Sequence, residues 1–299
     1  MITLTDIAYV RSGVEDLEGA VRFAGDIVGL EVVDSDEPGV AHLRADPRGH
    51  CLTFVQGRSG VIASGFTVAG RDALAAAESE LEKQGLRVER GDPAGARSRG
   101  VSEYIAFDDP FGNRIELAAA QYRSAEPLRH TRDAGITEFG HLCLDAPDVH
   151  EAHRFWSTTF NARVSDWVGD RACLMRIDPV HHKLAVFRGE EAGLCHINFQ
   201  VDSLDALMRN WHFLTDRGVE IVMGPGRHPT SGSVFLYFRG PENLTYEYAV
   251  GGRLIEADTA WIPRVFDPEL PSSLDTWRGR VAPTTRQRQL PRTAHPAAS

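Results

Sequence analysis

The 299-residue chain has few cysteines and no long apolar run, and both absences limit what kind of protein it can be. Its four cysteines show no paired short spacing, which argues against a disulfide framework and against a zinc ribbon. No stretch approaches the roughly 18 apolar residues of a membrane helix, and the N-terminus MITLTDIAYV lacks the charged-then-apolar pattern of a signal peptide. We therefore expect reduced thiols, no membrane partner and a cytoplasmic location.

Excess positive charge is also lacking. The net charge of −10 disfavours nonspecific binding to nucleic acid or anionic membranes, because neutralising phosphates requires clustered Lys and Arg. The exception is the tail, residues 278 to 299, which has five arginines, no acidic residue and a composition typical of disorder. The composition of the whole chain, 42% hydrophobic and 25% charged, is that of a globular protein of about two domains, and we expect no nucleic-acid partner.

An internal repeat organises the chain. The stretch TDIAYVRSGVEDLEGAVRFAGDIVGLEVVD, from Thr5, aligns without a gap with TEFGHLCLDAPDVHEAHRFWSTTFNARVSD, from Thr137. RADPRGHCLTFVQG aligns in the same register with RIDPVHHKLAVFRG, and FDDPFGNRIELAAA aligns with FRGPENLTYEYAVG. We predict four segments: an N-terminal domain at 1–120, a linker at 121–134, a C-terminal domain at 135–252, and a pocket-covering segment with the arginine-containing tail at 253–299.

Each half divides again into two similar units of a strand, a helix and several strands. Apolar residues recur three and four apart from Leu17 to Val28 and from Leu204 to Leu214, which predicts one amphipathic helix in each stretch. Gly85 and Gly218 stand where helices are expected to end, and CLTFV, HKLAVF and SVFLYF are typical of strands. The predicted fold class is α+β, with two tandem domains of two βαβββ units each and curved mixed sheets around a cavity.

The duplication helps to separate scaffold from candidate chemistry, because residues present in only one half are the better candidates. His141 aligns with Tyr9, and His196 likewise has no histidine counterpart, whereas Glu247 aligns with Glu116. The set of His141, His196 and Glu247 is therefore complete only in the second half. Two imidazoles and one carboxylate are the protein ligands of a site that suits Fe(II) and leaves positions open for substrate and dioxygen.

The second half resembles the catalytic domain of type I extradiol ring-cleavage dioxygenases of the vicinal oxygen chelate superfamily, such as the catechol, dihydroxybiphenyl and homoprotocatechuate 2,3-dioxygenases. The resemblance is carried by GHLCL, by VHHKLAVF followed by His196, and by GRHPTSGSVFLYF followed by YEYAVG. With the two-domain plan it covers residues 1 to 252. It implies that His141, His196 and Glu247 bind Fe(II), with Mn(II) as the other option, and that the N-terminal domain has lost its metal site.

The same resemblance implies catalytic roles for three neighbouring residues. His182 corresponds to the acid/base, for which an imidazole is suited because its unperturbed pKa lies near neutrality. His228 corresponds to a residue that hydrogen-bonds metal-bound oxygen or substrate, and Tyr237 to a phenol that hydrogen-bonds the substrate. A structural role for His182 stays open, because His50 stands at the matching position of the first half.

The implied reaction cleaves a substituted catechol beside its vicinal hydroxyls with O2, giving a 2-hydroxymuconic semialdehyde type of product in aromatic catabolism. Homo-oligomeric assembly is expected because related enzymes commonly assemble. Two other classes stay open. A metal-dependent isomerase or epimerase of the same superfamily generally has a further protein ligand and a carboxylate base, whereas a non-catalytic small-molecule-binding member needs no metal.

For residues outside this set we expect structural positions in the cavity wall, at the surface or on helix faces. After the closing strand, Trp261, Ile262, Pro263 and Phe266 are expected to cover the cavity, while Arg264 faces either a substrate carboxylate or solvent. Further wall candidates are Trp167, Val168, Thr230 and Ser231. The other histidines are expected at the surface or on helix faces: His42, His130, His150, His153, His181, His212 and His295.

Overall fold

The computed structural model describes residues 1–256, 260–277 and 290–291. In the first half the strands are β1 Leu4–Val14, β2 Glu31–Val33, β3 Val40–Arg44, β4 Leu52–Gln56, β5 Gly60–Val68, β6 Val88–Arg90, β7 Glu103–Asp108 and β8 Arg114–Ala119. The helices are α1 Leu17–Arg22, which continues as a π-helical turn at Phe23–Val28, α2 Arg71–Lys83 and α3 Pro93–Ser98.

The second half repeats this pattern. Its strands are β9 Ile136–Ala146, β10 Arg163–Val168, β11 Ala172–Arg176, β12 Leu184–Arg188, β13 Gly193–Val201, β14 Ile221–Arg227, β15 Val234–Arg239 and β16 Thr245–Val250. Its helices are α4 Val149–Thr159 and α5 Leu204–Asp216, with a 3-10 turn at Pro241–Asn243. Three short elements follow: β17 Arg264–Phe266, a 3-10 turn at Pro271–Ser273 and β18 Leu290–Pro291.

The two halves have the same sheet topology. The first sheet has the order β2-β3-β4-β1-β5-β8-β7-β6, and the second has β10-β11-β12-β9-β13-β16-β15-β14, extended by β17 beside β10. Both are mixed, since β1 pairs parallel with β4 and antiparallel with β5, as β9 does with β12 and β13. The predicted duplication and fold class are therefore confirmed.

Local sequence explains where the helices begin and end. The side chain of Asp148 accepts hydrogen bonds from the backbone N–H groups that open α4, and that of Ser203 does the same for α5. Gly85 and Gly218 follow α2 and α5 with φ of 82° and 67°, the left-handed conformation that ends a helix most cheaply at glycine. The one departure is the stretch predicted as a helix over Leu17 to Val28, whose second part is π-helical.

The two halves are joined through side-chain contacts as well as through the linker. The Tyr248 hydroxyl donates to the Val28 carbonyl at 2.7 Å, and the Asp46 carboxylate accepts from the backbone N–H of Phe139 at 3.0 Å. Lys183, which is buried, reaches Asp6 at 3.4 Å. Buried apolar residues of both halves form one contiguous cluster, so the second sheet is supported by the first.

From the sequence we expect no membrane-spanning helix and a disordered tail. None of the described helices is both long and apolar enough to cross a membrane. The predicted disordered tail lies outside the described residues, except for β18, which pairs with the beginning of β13 at Gly193 and Leu194. His295 is also outside them.

Candidate metal and catalytic site

Three adjacent strands of the second sheet bring the candidate metal ligands together. Asn198 on β13 pairs with His141 on β9 and with Glu247 on β16, so these side chains share one face of the sheet. His196 is two residues before Asn198 on β13 and points to the same face because side chains alternate along a strand. The curved sheet therefore directs two imidazoles and one carboxylate into a common space.

The donor atoms of these residues converge. The Nε2 atom of His141 is 3.2 Å from the Nε2 atom of His196 and 2.9 Å from Oε2 of Glu247. The Nε2 atom of His196 is 3.4 Å from the same oxygen. Ligands at right angles around an ion, each about 2.1 Å from it, are about 3 Å apart. The observed separations fit that spacing.

Burial and charge make this donor set suited to a divalent cation. Glu247 is 1% exposed, and neither of its oxygens has a hydrogen-bond partner of good geometry. Burial alone would raise the pKa of Glu247, but His141, His196 and His228 beside it hold that pKa well below its usual range. Burial lowers the pKa of His141, which keeps the imidazole neutral. An ionised, under-satisfied carboxylate beside two imidazoles fits a metal ion.

Cys143 is a fourth possible donor beside His141 and His196. Its sulfur is 3.1 Å from Nε2 of His196, and the thiol lines the cavity. Burial raises the pKa of Cys143 well above its usual value, and Cys195 and Glu247 raise it further. Metal binding needs the thiolate, so the protonated thiol is a weaker donor than the two histidines and the glutamate.

His182 lies against the candidate ligands. It is in the turn before β12, and its ring centre is 4.2 Å from that of His141. Burial lowers the pKa of His182 well below its ordinary value, and the neighbouring His141 and His181 lower it further. The imidazole is therefore neutral and has a free lone pair with which to accept a proton.

His228 and Tyr237 form a hydrogen-bonded pair on the other side of the site. Nδ1 of His228 donates to the Leu274 carbonyl at 2.7 Å. Its Nε2 atom is 3.0 Å from the Tyr237 hydroxyl and 3.6 Å from Oε1 of Glu247. Burial raises the pKa of Tyr237 well above its usual value, so its phenol stays protonated.

The space beside these groups is a small cavity. Its lining combines His182, His196, His228 and Tyr237 with Cys143, Val168, Leu174, Phe187, Thr230, Ser273 and Leu274. Its volume is about 30 Å³, room for about two water molecules. A ring-shaped ligand therefore enters only if some lining side chains move.

The covering segment is formed by different residues from those predicted. Ser273 and Leu274 line the cavity, together with Val168 and Thr230, two of the four predicted wall residues. By contrast, Trp261 donates its indole N–H to the Ser165 carbonyl at 2.7 Å, and Ile262 is 82% exposed.

The Arg264 guanidinium pairs with Asp166 at 2.5 Å, while the side chain stays 38% exposed to solvent.

Two histidines expected at the surface are buried instead. His181 is 1% exposed, and His42 stacks on His50 with ring centres 4.2 Å apart. Periodicity could not identify His181, because it lies in the turn before β12, where no alternating pattern constrains it. His42 is the middle residue of β3, which is too short to show a clear alternation. The sequence feature that could have identified His181 is its position directly before His182, the predicted acid/base.

In the first half, the place that corresponds to the donor set contains an arginine. Nε and Nη2 of Arg99 are each 2.6 Å from a carboxylate oxygen of Glu116, and the Tyr9 hydroxyl donates to the same carboxylate at 2.8 Å. Burial alone would raise the pKa of Glu116, but Arg99 lowers it below the usual value. A guanidinium therefore balances the carboxylate that the second half leaves under-satisfied.

The chain belongs to the Glyoxalase/Bleomycin resistance protein/Dioxygenase superfamily, whose family model matches residues 6–117 and 138–248. The two matched ranges correspond to the two sheets. This confirms the family resemblance predicted from the sequence motifs.

Three similar proteins, one relative and two solved structures, make the comparison more specific than the superfamily. The chain is similar to an iron-dependent extradiol dioxygenase of Rhodococcus jostii (strain RHA1), with 23% identity over 287 residues covering 88% of this chain and 94% of the relative. Its fold matches homoprotocatechuate 2,3-dioxygenase from Arthrobacter globiformis, with a TM-score of 0.85, 23% identity and coverage of 94% and 91%. It also matches a Mn(II)-bound glyoxalase from Novosphingobium aromaticivorans, with a TM-score of 0.84, 25% identity and coverage of 95% and 94%.

Proposed function

We propose that this protein is an extradiol dioxygenase, which cleaves a substituted catechol beside its vicinal hydroxyls with O2. The observation that carries the proposal is Glu247, a buried carboxylate that has no well-formed hydrogen bond and lies within 3.4 Å of two imidazole Nε2 atoms. The Rhodococcus relative, an iron-dependent extradiol dioxygenase, supports the same chemistry.

His141, His196 and Glu247 would bind the metal ion. Fe(II) is proposed, with Mn(II) as the other option, because both accept this set of nitrogen and oxygen ligands. When bound, such an ion supplies a Lewis acid with open positions for the vicinal oxygens of a catechol and for dioxygen. The protein's part is then to bind the ring, orient it and move its protons.

His182 is the proposed base. Its lowered pKa means that the imidazole enters the reaction neutral and can accept a catechol hydroxyl proton. Because the group is close to His141, the proton it accepts comes from a substrate oxygen next to the ligand set. The same imidazolium can later return the proton to the product.

His228 and Tyr237 are proposed to orient the substrate. The raised pKa keeps the Tyr237 phenol a hydrogen-bond donor, and His228 is fixed by its bond to the Leu274 carbonyl. Tyr237 can therefore turn its O–H from His228 to an incoming oxygen without a change in protonation. The apolar lining, with Leu174, Phe187 and Leu274, suits the ring carbons.

The proposal is tested by loading the protein with Fe(II) under anaerobic conditions, adding a panel of catechols and admitting oxygen. The panel should include unsubstituted, 3-alkyl, 3-aryl and 4-carboxyalkyl catechols. We expect a yellow ring-fission product with one O2 consumed per turnover. Glu247→Gln, treated in the same way, is the control. Absence of both signals across the panel, with bound metal demonstrated, would contradict the proposal.

The second candidate is a metal-dependent isomerase, which the likeness to the Mn(II)-bound glyoxalase favours. Among the described residues that line the cavity, the polar groups are imidazole, phenol, hydroxyl and thiol, with no carboxylate to act as a base. The two candidates differ in oxygen uptake. Turnover of a thiohemiacetal without O2 consumption would favour the isomerase. A ring-fission product with one O2 consumed per turnover in the catechol assay would favour the dioxygenase.

A further inference from the structure

A buried chain of hydrogen bonds leads away from His182. Its Nδ1 atom is 3.1 Å from Nδ1 of His181, and Nε2 of His181 is 2.8 Å from Oδ2 of Asp166. His181 and Asp166 are almost completely buried, at 1% and 0% exposure. These three side chains come from the turn before β12 and from β10, so the tertiary structure aligns them behind the candidate site.

The hydrogen bonds determine which nitrogen of each ring has the proton. A carboxylate can only accept, so Nε2 of His181 is the donor to Asp166. In a neutral His181 ring, Nδ1 is then unprotonated and accepts, so Nδ1 of His182 must donate to it. A neutral His182 that donates from Nδ1 has an unprotonated Nε2, the nitrogen that remains for the cavity that His182 lines.

Asp166 is held as an ionised acceptor by the covering segment. Its Oδ1 accepts from the backbone N–H of Arg264 at 2.9 Å and from Nε of the same residue at 3.0 Å. Oδ2 accepts from Nη2 of Arg264 at 2.5 Å. Burial alone would raise the pKa of Asp166, but His181 and Arg264 lower it below its usual value.

Burial and two nearby cations favour the neutral form of His181. Burial lowers the pKa of His181, Asp166 opposes that effect, and the cations of Arg264 and Arg253 lower the pKa further. The His181 backbone is also fixed, because its N–H donates to the Arg253 carbonyl at 3.0 Å. The neutral state of His181, on which the proton assignment depends, therefore agrees with its surroundings.

The first half of the duplication provides an internal control. The position that corresponds to His181 is Gly49, although His50 corresponds to His182. Asp34, the counterpart of Asp166, is exposed. Nε2 of His50 is buried without a hydrogen-bond partner. The hydrogen-bonded chain is thus present only in the half that contains the two imidazoles and the under-satisfied carboxylate.

We propose that His181 and Asp166 are positioning residues that hold His182 with Nδ1 protonated and Nε2 unprotonated toward the cavity. Arg264, in the covering segment, completes this chain of hydrogen bonds, which we call the relay. The inference rests on the proposed function, since the orientation of His182 matters for catalysis if His182 is the base. A ring fixed in this form is ready to accept the first catechol proton at Nε2. Similar hydrogen bonds behind a reactive imidazole fix its tautomer in other enzymes.

The direct test is nitrogen-15 NMR of the histidine side chains in the full chain. Spectra are recorded for the metal-free protein and for protein loaded with Zn(II), a diamagnetic substitute. We expect His182 to have its proton on Nδ1 and a bare Nε2 in both. A proton on Nε2 with a bare Nδ1 would overturn the proposal. The tautomer is measured without enzymatic turnover. If the expected tautomer is found but no catechol is cleaved, the proposed function is wrong and the positioning of His182 by the relay is confirmed.

The kinetic test uses Asp166→Asn, which keeps the size of the side chain and removes its charge. We expect kcat to fall about 10- to 100-fold, the usual cost of losing a partner behind a functional side chain, with the KM for catechol and the metal content unchanged. The His182 tautomer should become mixed, because an amide can donate to His181 as well as accept from it.

Asp34→Asn is the matched control, since Asp34 occupies the equivalent and exposed position in the first half. It should keep the wild-type kcat. If the folding of Asp166→Asn is impaired, His181→Asn is the second variant, because its side-chain oxygen can still accept from Nδ1 of His182. That variant should retain more activity than His181→Leu. Equal activity of the two would count against the relay.

Discussion

At the scale of single residues, Glu247 and His182 are the two buried side chains whose surroundings differ most from those of an ordinary protein core. A buried carboxylate without a full set of partners costs several kcal/mol, unless a cation or donors compensate it. His182 likewise lies among other imidazoles, where an ordinary core would have an apolar side chain. Neither environment is explained by fold stability alone, and both fit the proposed metal ion and the proposed proton acceptor.

Replacing the proposed base separates its catalytic role from a structural one. His182→Phe should retain bound metal, because the three ligand side chains are untouched, and should lower kcat by about 10²- to 10⁴-fold, the typical contribution of general acid–base catalysis. Metal content and turnover are measured on the same sample. His212→Phe, on the exposed side of α5, is the control. Turnover equal to that of wild type would assign His182 the structural role that His50 has in the first half.

At the scale of elements, one connection has different roles in the two halves. Between β14 and β15 it contains His228, whose ring reaches Tyr237 and Glu247. Between β6 and β7 the equivalent connection forms α3 and is followed by Arg99, whose guanidinium stacks 3.9 Å from the Tyr104 ring centre and binds Glu116. The same connection in a repeated fold thus provides a catalytic candidate in one half and an internal cation in the other.

The Arg99–Glu116 pair should therefore be necessary for the stability of the first half. Arg99→Met leaves Glu116 buried without its cation and should lower the free energy of unfolding by about 3–5 kcal/mol, measured by urea denaturation. Adding Glu116→Leu should restore most of the loss, because an apolar pair replaces the ionic one. Arg90→Met, which removes an exposed pair with Glu78, should leave the urea midpoint unchanged. A small effect of Arg99→Met would mean that water reaches Glu116.

At the scale of the whole molecule, buried neutral histidines make stability depend on pH. Burial, with His42, Arg11 and Arg99 nearby, lowers the pKa of His50 to about 3. An unfolded chain has a histidine pKa of about 6.5. Between these two values the unfolded state binds a proton that the folded state does not. Stability is therefore fully present above pH about 6.5 and is lost as the pH falls toward about 3.

We expect the urea midpoint to fall steadily on acidification through that window, with a contribution from His50 of up to about 1.4 kcal/mol per pH unit. His50→Leu, which removes the titrating group, should flatten the dependence. His212→Leu serves as the exposed control and should retain the wild-type slope. A wild-type slope in His50→Leu would show that other groups dominate.

Metal binding should also affect the stability of the whole chain. A ligand that binds only the folded state raises the melting temperature with its concentration. Fe(II) or Mn(II) should therefore raise the Tm of the wild type, and a chelator should reverse the increase. Glu247→Gln, which removes the carboxylate charge, should abolish this response while remaining folded. An equal Tm increase in wild type and variant would place the ion elsewhere on the protein.

Much of the architecture follows from local sequence. The repeat determines the register of the two sheets, and the aligned positions of His141 and Tyr9 already indicate that the halves differ. Period and turn residues predict the helices at Leu204–Asp216 and Arg71–Lys83, because amphipathic spacing and terminal glycines act over a few residues. The three candidate ligands follow from the difference between the two aligned halves and from the motifs that resemble extradiol dioxygenases.

Contacts between distant segments were decided only by the tertiary structure. Arg264 reaches Asp166 across 98 residues, and Leu274 reaches His228 across 46. Asp166 and Asp34 are aligned in the repeat, yet the two have opposite burial, because β17 pairs with β10 and Arg264 binds Asp166. By itself, the sequence determined the repeated fold through its internal repeat, and the ligand candidates through the differences between the two halves and the motifs that carry the family resemblance. The relay behind His182 and the cation beside Glu116 depend on packing of side chains that no local pattern links.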